Sequence, residues 1–373
     1  MRNRGFAGQE KCAARDDNRS AEGAMKKLKY QVSFTTPAFL GNAEQDGQWR
    51  TPPFKALLRQ WWRVVYATDH GFRVNVADMR REEGKLFGHA WLDDDHNADG
   101  GKIAARKSLV RIWLDRWSPG ALRKDNWPQN AVVTHPEVNR PVDSALYLGL
   151  GPLVRDKRAT MLKTNAAIQE GETASLSIAV PDEHAPCVEQ ALMLMHRYGA
   201  VGGRSRNGWG SFSLVGVDES SKLSPLRLWR DALKLDWPHA IGQDERPLIW
   251  QTAPHKDWKA LMQELATIKI GLRTQFKFTM GDQAPHPEDR HWLSYPVSGH
   301  LVKPWDKARL TNSLRLKIRP APDDSGHVVG VIFHVPCLPP EKFKPDPRVI
   351  ETIWRRVHLF LDAPAQKLSR ILE

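Results

Sequence analysis

The order in which strand and helix patterns follow one another is the feature that most restricts how this chain can fold. Residues 29–35 (KYQVSFT) alternate apolar and polar side chains, as a half-buried strand does. A helical pattern begins at Pro52-Pro53, because proline suits the first turn of a helix, and continues to about Tyr66. Apolar spacing then predicts, in chain order, strands at 108–114, 145–150 and 174–180, a helix at 187–198 and a strand at 211–217.

This order is that of a ferredoxin-like βαββαβ unit carrying insertions. The polar stretch 218–224 (DESSKLS) is the best candidate for a linker. After it the same order recurs, with a strand at 248–252, a helix at 257–266, strands at 313–318 and 328–335, and a helix at 349–361. Residues 1–24 are polar and without periodicity, so we expect a disordered N-terminal extension. The predicted fold is α+β, with two ferredoxin-like (RRM-like) domains at 25–218 and 225–373.

The charge balance points to a polyanionic partner. The 373 residues include 55 Lys and Arg against 43 Asp and Glu, a formal net charge of +12. A positive balance of this size favours nucleic acid as a ligand. No apolar run approaches the roughly 18 residues that a membrane span needs. The N-terminus also lacks the apolar core of a signal peptide, so we expect a cytoplasmic protein without membrane contact.

The first candidate binding segment is the start of the helix after Pro52-Pro53. Residues 48–63 contain no acid and four basic residues, which are Arg50, Lys55, Arg59 and Arg63. On a helix the last three form one cationic row, and each i, i+4 pair of like charges costs about 0.2–0.5 kcal/mol unless something neutralises it. A phosphate backbone would do so. The alternative is a solvated amphipathic face whose arginine stems cover neighbouring tryptophan rings.

The second candidate segment is glycine-rich and lies between a predicted helix and a predicted strand. Its candidate RNA-binding residues are Gly202, Gly203, Arg204, Ser205, Arg206, Asn207, Gly208, Trp209 and Gly210. Glycines let the backbone approach a ligand and present N–H groups, while arginines supply forked donors for phosphate. A nucleotide-binding P-loop is excluded, because Trp209-Gly210 stands where Lys-Ser/Thr is required. Trp209 could stack on a base, or it could belong to the core.

Four motifs in this order resemble the RAMP superfamily of CRISPR proteins. They are TPAFLGNAEQ, RTPPFKALLRQWWR, GKLFGHAW and GAVGGRSRNGWGSF. Their order and spacing are most similar to the first RAMP subunit of type III-B (Cmr) effector complexes. The resemblance is dense over residues 27–217 and thin beyond. The N-terminal extension and the fifteen tryptophans depart from the family pattern.

The resemblance implies a non-catalytic RNA-binding subunit of an RNA-interference effector complex. Its ligands would be the 3′ part of the guide RNA and the target RNA, held without sequence preference, and its protein partners would be the neighbouring backbone RAMP subunit and other subunits of the complex. Lys55, Arg59 and Arg63 match the family's basic positions after its TPP motif, and residues 202–210 match its glycine-rich loop. No cofactor is expected, since the histidines and cysteines form none of the common metal-binding spacings.

Two other functions stay open from the sequence. A metal-independent RAMP endoribonuclease that processes CRISPR RNA would need a general acid or base, for which Tyr66, His70 and His89 are candidates. A purely structural capping subunit would contact only protein.

Two further patterns need a structural explanation. The start of an EF-hand loop is present at Asp95, Asn97 and Asp99, but Arg106 stands where the bidentate glutamate belongs, so we expect an acidic loop. Several tryptophans are expected in the core or at a subunit interface, namely Trp61, Trp62, Trp113, Trp117, Trp229 and Trp237.

Overall fold

The computed structural model of the chain describes residues 24–372, apart from residues 45, 91, 93–94, 130, 157–158, 221–222 and 324. The extension expected at residues 1–24 therefore lies outside the described part, except for Ala24, whose carbonyl accepts a hydrogen bond from the Asp182 amide at 3.1 Å. The fold combines helices with mainly antiparallel strands, in agreement with the predicted α+β class. No helix within the described ranges is long and apolar enough to cross a membrane.

Sheet 1 has four antiparallel strands, all from the N-terminal half. They are β1 (Met25–Phe34), β2 (Arg111–Leu114), β3 (Thr173–Pro181) and β4 (Phe212–Val215), in the spatial order β4-β1-β3-β2. Helices α1 (Thr51–Asp69) and α2 (Val76–Phe87) lie between β1 and β2 in the chain, and α3 (Ala185–Tyr198) lies between β3 and β4. The predicted strand at 29–35 and the predicted helix after Pro52-Pro53 are thus confirmed.

Sheet 2 has four antiparallel strands from the C-terminal half. They are β5 (Ile249–Gln251), β6 (Leu314–Pro320), β7 (Val328–His334) and β8 (Ser369–Arg370), in the spatial order β6-β7-β5-β8. Helix α4 (Trp258–Thr274) connects β5 to β6, and α5 (Pro347–Asp362) connects β7 to β8. Each of these helices begins at an aspartate whose side chain accepts a hydrogen bond from a first-turn amide, at Asp257 and Asp346.

Shorter elements fill the connections. Short helices lie at Ser144–Gly149 and Trp229–Ala232. Five two-stranded ribbons are also present in the described part of the chain. They pair His89–Ala90 with Ala105–Arg106, Leu122–Arg123 with Ala166–Ala167, Val132–His135 with Val138–Asp143, Leu153–Asp156 with Ala159–Leu162, and Leu226–Leu228 with Ile241–Gln243. The strand predicted at 145–150 is wrong. Asp143 accepts a hydrogen bond from the Leu146 amide at 2.7 Å and caps a helix there.

The two sheets enclose α1 and α3, and α4 and α5 cover the far side of sheet 2. On one side of α1, the Phe54 ring centroid lies 5.5 Å from that of Phe212 in sheet 1. On the other side, the ring centroids of Trp61 and Tyr198 lie 6.5 and 5.0 Å from that of Phe333 in sheet 2. The layers therefore run from sheet 1 through α1 and α3 to sheet 2 and then to α4 and α5. Because α1 is covered on both sides, Trp61 and Trp62 are core residues, as expected.

The glycine-rich segment joins the two halves of the chain. It runs beside β6, the edge strand of sheet 2, where the Leu316 amide donates to the Arg206 carbonyl at 3.0 Å and the Ile318 amide donates to Ser211 Oγ at 3.0 Å. Gly208 has a φ of +87° there, and a Cβ at this position would lie 2.5 Å from Ile318 Cδ1. A side chain is therefore excluded at Gly208 by both backbone conformation and space.

Candidate nucleic-acid interface

A cationic groove lies between the first turns of α1 and the edge strand β2. It encloses about 430 Å³ and is lined by Thr51, Pro52, Lys55, Ala56, Arg59, Ser108, Val110, Arg111 and Ile112. Three of these residues are cations, and none is an acid. Burial and the neighbouring Arg59 lower the pKa of Lys55. A groove of this size and charge suits a phosphate group or a short stretch of sugar-phosphate backbone.

A buried glutamate neutralises part of the predicted cationic row. Arg59 Nε lies 2.7 Å from Glu83 Oε1, and Arg63 contacts both oxygens of the same carboxylate, with Nε at 2.7 Å and Nη2 at 2.8 Å. Glu83 belongs to α2 and is 3% exposed. An acid of the protein itself therefore relieves part of the repulsion in the row, for which the sequence had suggested a phosphate backbone. Lys55, Arg59 and Arg111 line the groove, whereas Arg63 lies outside its lining.

Arg50 precedes α1 and contacts the neighbouring loop. Its guanidinium donates a hydrogen bond to the Gly41 carbonyl. This contact ties the start of α1 to the loop before it. Arg50 is therefore a structural contact of the candidate interface and is absent from the lining of the groove.

Most of the glycine-rich loop is already hydrogen-bonded within the protein. The amides of Gly203 and Gly210 donate to Phe39 and Pro37 carbonyls at 3.0 and 2.9 Å, and the amide of Gly208 donates to Ser205 at 3.2 Å. These three N–H groups are thus occupied, contrary to the expectation that loop amides would hold phosphate. Gly208 and Gly210 are buried, whereas Gly202 is exposed.

Some polar side chains of the glycine-rich loop form hydrogen bonds within the protein, and some remain exposed to solvent. Arg204 has a φ of +58° and donates from Nε to the Leu150 carbonyl at 2.6 Å. Asn207 donates to the Leu148 carbonyl at 2.7 Å, and its Oδ1 accepts from the Lys269 ammonium. The hydrogen bonds of both side chains therefore hold the loop against the rest of the protein. Arg204 and Arg206 still keep exposed surface, and Ser205 is half-buried.

Trp209 is a core residue. It is 0% exposed, and its ring centroid lies 5.2 Å from that of Phe39, 5.8 Å from that of Trp127 and 5.5 Å from that of Trp258. The prediction that it could stack on a base is wrong, because no face of the indole is accessible.

Arg315, which the sequence analysis missed, connects the loop to α1. It lies on β6, is 8% exposed, and its guanidinium faces the side-chain amide of Gln60 on α1. Its Nε makes no hydrogen bond within the described part of the chain. Burial and the neighbouring Arg206 lower the pKa of Arg315 to about 9. Arg315 is therefore a buried contact between β6 and α1, whereas its neighbour Arg206 keeps exposed surface.

The basic character of β6 is visible in the sequence only in retrospect. Residues 314–319 read LRLKIR, so the cations fall on one face and the apolar residues on the other. That alternation could have indicated a cationic sheet face, and the same holds for Arg111 in β2. Neither pattern says which helix the cations meet.

The candidate ribonuclease residues are engaged elsewhere. His89 Nε2 lies 2.6 Å from Asp95 Oδ2, and Arg106 Nη2 lies 2.9 Å from Asp95 Oδ1. The hydrogen bond from Arg106 lowers the pKa of Asp95 to about 2. His70 stacks on Tyr66 with a centroid distance of 4.0 Å. None of these residues lines the groove.

The EF-hand-like pattern has a structural explanation. Asp95 is 1% exposed and is bound by Arg106, the residue that stands in place of the bidentate glutamate. Within the described residues, no group of three His, Cys, Asp or Glu side chains is placed to hold a metal ion.

Comparisons with known proteins find similarity among solved structures. No protein-family model matches the sequence, and no curated protein matches it. The crystal structure of apo Cmr1 from Pyrococcus furiosus aligns with 91% of this chain and 97% of that chain, with a TM-score of 0.41 and 14% sequence identity.

Proposed function

We propose that this chain is a non-catalytic RNA-binding subunit of a type III-B CRISPR-Cas RNA-interference effector complex. It holds the 3′ part of the guide RNA, the target RNA or both, without sequence preference. The observation that carries the proposal is the groove in which Lys55, Arg59 and Arg111 meet without an acid among the lining residues. A second support is the resemblance of four motifs to the RAMP superfamily, since the TPP motif forms the start of α1, which lines this groove.

The fold is the third support. When α2 and the short elements are left aside, both halves have the chain order strand, helix, strand, strand, helix, strand, and in both sheets the fourth strand lies beside the first and the second lies at the far edge. This is the arrangement of a ferredoxin-like domain. We therefore assign one such domain to residues 25–218 and another to 225–373.

The binding mechanism is electrostatic. Phosphates of a single strand contact Lys55, Arg59 and Arg111 in the groove, and the exposed Arg204 and Arg206 of the glycine-rich loop offer further phosphate contacts. Such contacts release counterions and carry no sequence information, so affinity depends on salt and not on base identity. Sequence recognition is left to pairing between guide and target. The partners in the cytoplasm are the two RNAs, the neighbouring backbone subunit and other subunits of the complex, and no cofactor takes part.

The test is the binding of purified full-length chain to labelled single-stranded RNAs of three unrelated sequences. We expect equal affinities within a few-fold, and a decrease for all three RNAs in Lys55→Ala/Arg111→Ala. The RNAs are inspected for shortening after incubation with and without EDTA. Metal-independent shortening would assign the chain to the processing ribonucleases, and loss of that activity in His89→Ala would identify the residue. Absence of RNA binding would favour the structural-cap function.

A further inference from the structure

The outer face of sheet 1 is the sheet face that no layer covers in the described part of the chain. Its inner face meets α1 and α3, and both faces of sheet 2 are occupied. On the outer face, side chains of β1 and β2 are exposed, namely Lys27, Lys29, Gln31, Arg111 and Trp113. Trp113 is 46% exposed. Of the two places expected for Trp113, the core is therefore wrong, and a subunit interface stays a prediction.

The strand registers place these side chains in two rows across the sheet. Trp113 on β2 lies opposite Ser177 on β3, which lies opposite Lys29 on β1. In the adjacent row, Arg111 lies opposite Ala179, which lies opposite Lys27. Because neighbouring strands are about 4.8 Å apart, Trp113 and Lys29 are separated by about 10 Å across a floor of small residues. This leaves space for a planar base against the indole and a phosphate near the lysine.

The charge of the face selects the kind of ligand. Lys27, Lys29 and Arg111 form no ion pair within the described residues. Asp115, at the end of the same face, accepts a hydrogen bond from the Ser175 amide at 2.8 Å. The core of a protein–protein interface is depleted in lysine and rich in apolar contacts. Met25 and Val215 are further exposed apolar side chains of this face, but the three cations beside Trp113 match the stacking platforms and cationic surfaces that bind single strands.

We infer that the outer face of sheet 1 is a second contact surface for single-stranded RNA, with one base stacked on Trp113 and phosphates held by Lys27, Lys29 and Arg111. This inference rests on the proposed function, since it requires that the chain binds RNA. Arg111 also lines the groove beside α1. A strand that leaves the groove around the edge of β2 therefore reaches Trp113 without a break in the cationic surface.

The test uses the full-length chain and labelled decauridylate as the probe. We expect Trp113→Ala to weaken binding about 5- to 100-fold, the range for loss of one base–aromatic stack, with an unchanged salt slope. Trp113→Phe should recover most of the affinity, because phenylalanine retains a stacking face. Trp117→Ala is the matched control, since Trp117 is 60% exposed but lies beyond β2. Lys27→Ala/Lys29→Ala should instead reduce the log–log salt slope by about 1.4.

Cross-linking gives a second readout that does not depend on affinity. Ultraviolet irradiation of the complex followed by trypsin should attach uridine to the peptide of residues 112–116, which contains Trp113. Equal affinities of Trp113→Ala and Trp117→Ala, with no uridine on this peptide, would overturn the inference while leaving the groove intact. Failure of the unmodified chain to bind decauridylate would overturn the proposed function itself. Loss of subunit assembly in Trp113→Ala, with RNA affinity unchanged, would assign the face to a protein partner and contradict the inference.

Discussion

Arg63 makes a two-point contact with Glu83, with Nε 2.7 Å from Oε2 and Nη2 2.8 Å from Oε1. Arg59 contacts the same carboxylate, so two of the three cations in the row Lys55, Arg59 and Arg63 share one buried acid from α2. Glu83 thereby ties the cationic row Lys55, Arg59 and Arg63 of α1 to α2, and the row keeps two positive charges in excess of this one acid. Glu83 holds Arg59 at the groove and at the same time limits how strongly Arg59 attracts phosphate.

Removing the Glu83 carboxylate should therefore change the stability of the fold and the affinity for RNA in opposite directions. Glu83→Gln should lower the free energy of unfolding by about 1–3 kcal/mol, because two charged hydrogen-bond partners lose their buried acceptor. It should also raise RNA affinity by up to about tenfold near 50 mM salt, the effect of one added phosphate contact. Glu82→Gln is the control, since Glu82 is more exposed and, among the described residues, forms an ion pair with Lys85 alone, at 3.1 Å. Equal effects of the two variants on both quantities would contradict the role given to Glu83.

The buried position of Trp209 predicts a loss of stability without a specific loss of binding. Trp209→Ala should cost about 3–5 kcal/mol of unfolding free energy, as for other large core side chains. RNA affinity of the folded protein should stay within a few-fold of the original, because the indole has no accessible face. Denaturant titration and RNA titration of the same preparations check this. A stable variant with strongly weakened RNA binding would restore the stacking role for Trp209.

The packing of the glycine-rich loop against β6, which connects the two halves of the chain, can be tested at Gly208. Gly208→Ala should destabilise the chain by about 1–3 kcal/mol more than Gly216→Ala, since an added methyl group at Gly208 meets Ile318 Cδ1 at 2.5 Å. Gly216 is a matched control because its φ is +96°, close to that of Gly208, but the nearest atom to an added Cβ is 3.9 Å away. Similar denaturant midpoints for the two variants would show that the loop is not packed against β6.

Lys317 predicts a pH dependence of stability. Its ammonium donates to the Gly199 and Phe212 carbonyls and is fully buried, and burial lowers its pKa well below the ordinary value of 10.5. At a pH between the pKa of Lys317 in the folded chain and its pKa in the unfolded chain, the unfolded chain binds more protons than the folded one. The free energy of unfolding should therefore rise as the pH increases toward 10.5. Lys317→Met should lack this rise.

The measurement is denaturant unfolding of the unmodified chain and Lys317→Met at about pH 7 and about pH 9.5. The stability of the unmodified chain relative to the variant should increase with pH. Lys342→Met, at an exposed lysine, controls for the loss of one charge. A difference between the unmodified chain and Lys317→Met that stays constant over this range would contradict the account.

Much of the secondary structure follows from the sequence because its signals are local. Pro52-Pro53 starts α1, and the alternation of Tyr30, Val32 and Phe34 marks β1. The pattern at 145–150 misleads because a short apolar run fits a strand or a helix, and the Asp143 cap decides for the helix.

The site is less predictable because it depends on contacts between distant residues. The basic row of α1 is visible in the sequence, but its partner Glu83 lies on another helix. Arg315 meets Gln60 only after the two halves pack together. Trp209 and Trp113 show the same difficulty, since one is buried and the other exposed although each lies in or next to a strand of sheet 1.

The most direct test of the central claim is the salt dependence of single-stranded RNA binding by Lys55→Ala/Arg59→Ala/Arg111→Ala. The control is Lys342→Ala/Lys344→Ala/Arg348→Ala, which removes three exposed cations around the start of α5. If the groove holds phosphates, the log–log slope of the first variant should shrink by about two units, at about 0.7 per lost contact, while the control keeps the original slope. Equal slopes in the two triple variants would contradict RNA binding by the groove.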